Sequence, residues 1–475
     1  MRPLTDTDAR SRPRRLPAFL TLLAAAALMS ACGGSGGDTA PSQPAPSPPA
    51  RLAIPLPGLS LVKLRSQGDT WVAMTEKPHG FMDETIMERR LEISDAAGAK
   101  AHAWTPPPGW TLVDFALHPQ REISAVLSNG TTLRLVRLDD KGAQLATQDV
   151  RDPNLAQDPY FGLPGEVRDR SAMAPLKTRD AVRIAPAGAA LGLALRSGGN
   201  GVVAYRFDYT GGRFVQRWRT LVEPGIYLDG NRPTSGSYDP FEGVDNHWKL
   251  VMDMDGRGRM AVGVLVSSRS DLAFAHRQTF DEPLPAGFAD GVLLTVLDEQ
   301  GMRSRALAID NGDKSEVHAL RWADDTVLVA GRVRSARAAD GSGWDGYVAR
   351  TGGASGLLSW RRIDVDRGDA VLDLLPLGAN AVLLAGASGY TQNPGGESVS
   401  GTSAPLLARF DTATGAMTRI ALPAGPRGNQ VRALAAYRDR WLVGGMENIP
   451  GTHSADQDPR LLTTDAWLRE IDTVR

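Results

Sequence analysis

One short turn recurs along this chain and limits its fold more than any other feature. An apolar stretch ends in Asp, two or three residues follow, then Gly, then a second apolar stretch. Asp95 with Gly98, Asp139 with Gly142, Asp208 with Gly211, Asp298 with Gly301 and Asp411 with Gly415 make five copies. Thr351 with Gly352 and Gly353 takes the same place in a sixth, and Asp472 opens a seventh. Asp accepts hydrogen bonds from its own loop, while Gly supplies the positive φ that closes a tight hairpin.

Two further apolar runs precede each turn, joined by a tight connection. The later copies show them at 317–322 with 326–333, 371–375 with 381–387, and 431–437 with 441–446. Earlier copies give 59–64 with 70–75, 112–117 with 122–127, 182–185 with 189–195, and 250–253 with 259–266. From Leu52 onward hardly a window has helical periodicity, so the pattern is all-β. The unit is four strands, numbered first to fourth from the inside outward. Repeated radially, it predicts a seven-bladed β-propeller, with blades averaging roughly 60 residues.

Aligned third strands carry a family resemblance. The stretches ADGVLLTVLDEQG, WDGYVARTGG, APLLARFDTATG and TDAWLREID resemble the bacterial β-propeller repeat (SBBP-like). In that repeat an Asp-Ala-Phe-like start leads into an apolar strand and an Asp/Asn-Gly turn. Trp218 and Trp360 fall on fourth strands, similar to the Trp of quinoprotein-type propeller repeats. The likeness covers most of the chain from about residue 245 and is weaker before it. It speaks to fold far more than to function.

The two ends of the repeat region match each other. RLAIPLPG at 51–58 resembles the fourth strand RIALPAG at 419–425, and the last copy stops after its third strand. The expectation is that the N-terminal strand completes the last blade and leaves no open edge. Pro55 suits an outermost strand.

The N-terminus reads as an address. Arg2, Arg10, Arg12, Arg14 and Arg15 precede the apolar run 16–29, which ends in Met29, Ser30, Ala31 and Cys32. That ending resembles the bacterial lipobox, and Cys32 is the only cysteine of the chain. The resemblance implies a signal peptide over 1–31 and an acylated Cys32. An ordinary signal peptide with a stray Cys is the alternative. Residues 32–50 are almost all Gly, Ser, Pro and Ala, a flexible tether, and 51–475 form the propeller. Gly33 rather than Asp after the Cys points, by the same analogy, to the outer membrane of a bacterial envelope.

Charge and cysteine content exclude several functions. Lys and Arg number 53 against 54 Asp and Glu, so the net charge is −1 and no basic field holds nucleic acid. A single Cys excludes a disulfide framework, a zinc cluster of paired thiolates and a c-type haem attachment. No cofactor and no metal site is expected.

In a propeller, second-to-third and fourth-to-first connections emerge on one face. The long ones, 77–88, 152–179, 223–247, 267–289, 334–344, 388–403 and 447–464, all fall there. Long loops on a rigid frame are where binding residues concentrate. The candidate binding residues are Tyr227, Arg232, Tyr238, Phe241, His247, His276, Arg277, Trp344, Tyr390 and His453. Aromatics beside adaptable polar groups suit recognition, and they equally suit packing of loops onto blade tops. Asp290, Asp345 and Asp465 each open a third strand, as a carboxylate ring or as a repeated structural turn. Asp253 to Gly256 begins like a calcium loop but lacks the Glu at its twelfth position, so an Asp-Gly hairpin is expected. His318 lies in an inner strand, its direction left open by the alternation. No Gly-x-Ser-x-Gly elbow and no phosphate-binding Gly loop precedes a helix. The leading expectation is a membrane-anchored, non-catalytic envelope protein binding a protein or glycan partner through that face. The alternative is a propeller enzyme (lyase, glycan hydrolase or quinoprotein-type) with its site at the channel mouth.

Overall fold

In the computed structural model, seven four-stranded antiparallel sheets form a seven-bladed β-propeller. The residues described are 52–77, 88–129, 132–150, 181–197, 201–224, 250–267, 284–334, 343–352, 356–366, 368–389, 403–422, 428–449 and 464–472. Numbered in chain order, the innermost strands of blades 1 to 4 are Ser60–Gln67, Thr111–Leu117, Val182–Ala187 and Leu250–Met254. Those of blades 5 to 7 are Ser315–Ala323, Asp369–Pro376 and Gly428–Tyr437. Blades 1 to 6 then run outward in sequence order.

Blade 7 is assembled from both ends of the repeat region. Gly428–Tyr437, Arg440–Ile449 and Asp465–Ile471 are joined at the outer edge by Ala53–Leu56, antiparallel, with Ala53 opposite Arg469 and Leu56 opposite Ala466. The Glu470 amide donates to the Leu52 carbonyl at 2.9 Å, and the Leu52 amide donates back to the Glu470 carboxylate at 3.2 Å.

The core lies between blades. Buried apolar clusters occur at each neighbouring pair, including Leu61, Leu64 and Trp71 of blade 1 against Ala433, Tyr437 and Leu442 of blade 7. Middle strands are therefore covered on both sheet faces, and every residue of Ile123–Ser128 and of Asp290–Leu297 is buried. That double burial is why these strands read as continuous apolar runs instead of alternating ones. The outer strand Lys100–Trp104 has no fully buried residue.

The Asp-to-Gly turns at Asp95, Asp139, Asp298 and Asp411 form as the sequence predicts, whereas Asp208 stays within its strand opposite Val215 and the chain reverses at Gly211 and Gly212. The Gly98, Gly142 and Gly301 amides donate to the carbonyls of Asp95, Asp139 and Asp298 at 3.0–3.1 Å. The hairpin following Asp253 has the expected type with a shifted centre. Asp255 accepts from the Arg257 and Arg259 amides, and the positive φ is at Gly258 (91°) rather than at Gly256.

Irregular pairing of the innermost strands is what shapes the channel. Against their second strands, register slips between Leu61 and Lys63, Leu112 and Asp114, Val317 and Ala319, Val371 and Asp373, and Val431 and Ala433. A bulge inserts one extra residue and re-aims a side chain. The residues inserted, Val62, Val113, His318, Leu372 and Arg432, all line the axial cavity.

Candidate functional site

The cavity has a volume of about 220 Å³ and takes lining residues from all seven innermost strands. Each strand is apolar where it packs into its own blade, and most place a charge where the seven converge. Blade 1 contributes Lys63 and Arg65, blade 2 Asp114, blade 3 Arg183, blade 5 Arg321, blade 6 Asp373 and blade 7 Arg432.

Carboxylates tie neighbouring blades together. Asp114 accepts from Lys63 Nζ at 2.6 Å on one side and from the Ile184 amide at 2.9 Å on the other, spanning blades 1 to 3. Lys63 also donates to the Phe115 carbonyl at 2.7 Å. Two blades on, Asp253 accepts from the Trp322 amide at 3.1 Å. Asp373 accepts from Arg321 at 2.5 Å and from the Leu434 amide at 3.0 Å. Blades 2, 4 and 6 thus each bond the backbone of the blade that follows.

These environments move the proton affinities apart. Burial outweighs the attraction of Asp114 and lowers Lys63 to about 8. Burial alone would raise Asp114, but Lys63 and Arg183 together hold it below the usual carboxylate range. Asp253 is pushed up by burial despite Arg321. Arg65 falls to about 10, through burial first and the positive charge of Arg321 second. His318 also lines the cavity, with Nε2 3.3 Å from Glu316, which itself pairs with Arg332.

Of the residues expected to form a binding face, Tyr227, Arg232, Tyr238, Phe241, His247, His276, Arg277, Tyr390 and His453 lie outside the described residues, as does Cys32. Trp344 is 4% exposed. It packs beside Ala370 and Ala387 of blade 6, its ring lies 4.5 Å under the Arg332 guanidinium, and its backbone bridges Gly368. For this residue the structure shows packing between blades.

The structure shows Asp290 and Asp465 tying their third strands to the chain that enters the next blade. Asp290 accepts from the Ser315 amide at 3.0 Å and its hydroxyl at 2.6 Å, where the next blade begins. Asp465 accepts from the Gly58 amide at 2.9 Å. Asp345 falls in the same kind of junction, with carboxylate oxygens of Asp345, Asp364 and Asp369 within 4.8 Å of one another. There Arg362 stands 3.3 Å from Asp345, and Asp369 accepts from the Val365 amide at 2.6 Å and the Asp366 amide at 3.1 Å. Burial, aided by Asp345 and Asp364, raises Asp369 to about 7.

The sequence reading missed the channel charges. Its available signal was a Lys, Arg or Asp inside an otherwise apolar first strand, once per blade in most copies. No family model matches this chain, and neither does any curated protein. Among solved structures, YCF48 bound to D1 peptide is similar at 12% identity over 91% of this chain and 100% of that one, with TM-score 0.43. The β-propeller domain of the Trilobed protease from Pyrococcus furiosus is similar at 9% identity over 88% and 95%, TM-score 0.43. A streptogramin B lyase is similar at 8% identity over 88% and 98%, TM-score 0.43.

Proposed function

We propose that this chain is a lipid-anchored, non-catalytic binding propeller of the bacterial envelope, docking a protein or glycan partner on one face. The observation that carries the reading is the distribution of connection lengths. First-to-second and third-to-fourth turns never exceed five residues, as between Leu117 and Ile123. Connections from second to third strand and between blades include every longer one, such as those joining Val150 to Val182 and Pro224 to Leu250. A rigid frame with chain length invested on one side is the arrangement of a recognition surface. The bonded state of the channel carboxylates supports binding over catalysis, since Asp114, Asp253 and Asp373 are each engaged by neighbouring backbone amides. An enzymatic reading keeps one specific support, the His318–Glu316 pair in the cavity wall.

Affinity capture of the anchored protein from envelope extracts tests the proposal. A stoichiometric partner lost on replacing 223–247 supports it. Retained capture removes that loop as the docking element. Turnover abolished by His318→Gln would replace the binding reading with the enzymatic one.

A further inference from the structure

The axial cavity is lined by more cationic than acidic side chains. Six cationic side chains line it, Lys63, Arg65, Arg89, Arg183, Arg321 and Arg432, against the two carboxylates Asp114 and Asp373. Adding Glu76, which pairs with Arg89 at 3.0 Å, and Asp253, which interacts with Arg65 and Arg321, brings four carboxylates against six cations.

Arg65 has donors to spare among the described residues. A guanidinium offers five N–H donors, and among the described residues Arg65 uses one, to the carbonyl of Leu64 beside it at 2.7 Å. Among the described residues no carboxylate forms a salt bridge with it; its strongest charged influence is the like charge of Arg321. Arg321 is held by the Leu320 carbonyl at 3.0 Å and by Asp373, which fixes its position on the cavity wall. The two guanidinium groups repel each other while Asp373, Asp253 and Asp114 attract Arg65, and an oxygen anion between the guanidinium groups would offset their repulsion and take up the idle donors.

We propose that the axial channel binds a small oxyanion, a carboxylate or a phosphate, between Arg65 and Arg321. The site is independent of the partner face proposed above, because Arg65 and Arg321 both stand on innermost strands. Its chemistry is the fork-shaped recognition of a planar or tetrahedral oxyanion by arginine, in a cavity lined by more cationic than acidic side chains.

Calorimetric titration of the purified full chain with inorganic phosphate and with malonate tests this, with sodium chloride at matched ionic strength as the control. One equivalent of phosphate or malonate is expected to bind and to raise the melting temperature, and the tighter ion identifies the source. Arg65→Met should weaken that binding by about tenfold or more while keeping a cooperative melting transition. Arg65→Lys, which keeps the charge and loses the fork, should fall between the two. An Arg65→Met protein that titrates like the wild type, or chloride that acts as well as both oxyanions, overturns the site. So does a wild type that binds neither ion.

Discussion

Gly301, in the turn of blade 4, lies against the indole of Trp218 on the outermost strand of blade 3. A Cβ built on Gly301 would come within 2.5 Å of the ring, and Trp218 Nε1 donates to the Glu299 carbonyl of the same turn at 3.0 Å. Gly98 of blade 1 meets the Tyr437 hydroxyl of blade 7 in the same way, whereas Gly142 stands in ordinary contact with Trp104 of blade 1, at 3.4 Å. Gly301 therefore has two duties, a positive φ and room for the neighbouring blade's aromatic. Gly301→Ala should cost about 2 kcal/mol or more. Gly211→Ala has a similar positive φ (61°) and nothing within 4 Å, and should cost about 1 kcal/mol. Urea unfolding midpoints of the two variants check the difference.

Asp114 joins three blades at once, so its removal leaves the Lys63 ammonium and the Ile184 amide without their acceptor. Asp114→Leu should destabilise by about 3–5 kcal/mol. Lys63→Met combined with Asp114→Leu should cost less than the sum of the single changes, because no uncompensated charge remains. A double-mutant cycle by chemical denaturation gives the coupling.

The pairing of Ala53–Leu56 with Asp465–Ile471 should matter to the whole body. Removing 51–57 would uncover a sheet edge and delete Leu56, which is 1% exposed and packed in the cluster between blades 7 and 1, leaving that cluster open. Removing 33–50 should leave melting unchanged. Equal melting of the two truncations would end the idea that the N-terminal strand closes the ring.

His118 sits fully buried, between the Gly188 carbonyl and the Ser124 hydroxyl, each 2.9 Å away. Burial first and the charge of Arg137 second lower its pKa to about 3. The neutral ring is the one the fold accepts, so its contribution is complete above the ordinary value near 6.5 and is lost as pH falls toward 3. That loss amounts to about 1.4 kcal/mol per unit. Asp369 has the opposite sign, since with a raised value its contribution is complete below the ordinary carboxylate range and declines as pH rises toward 7. Unfolding free energies of wild type and His118→Gln, measured from pH 4 to 7, should diverge with rising pH, and parallel curves would contradict the assignment.

Cys32 should carry the membrane anchor. Metabolic labelling with a fatty acid is expected to mark the wild type and not Cys32→Ala, and equal labelling of both would remove the anchor.

The blade count and strand order were legible because turn chemistry and apolar runs are local. Asp298 and Gly301 make their turn from four consecutive residues, and a doubly buried strand such as Asp290–Leu297 shows its burial in its own composition. The charged channel was not legible in that way. Lys63, Asp114 and Arg183 stand far apart in sequence, and only ring geometry brings them to one axis. His318 shows the reason most directly: strand alternation left its direction open, and a one-residue bulge between Val317 and Ala319 settled it. The local sequence therefore determined the repeated sheets and their turns. Which side chains face the axis, and what charge they leave there, was decided by register shifts and by the convergence of seven distant strands.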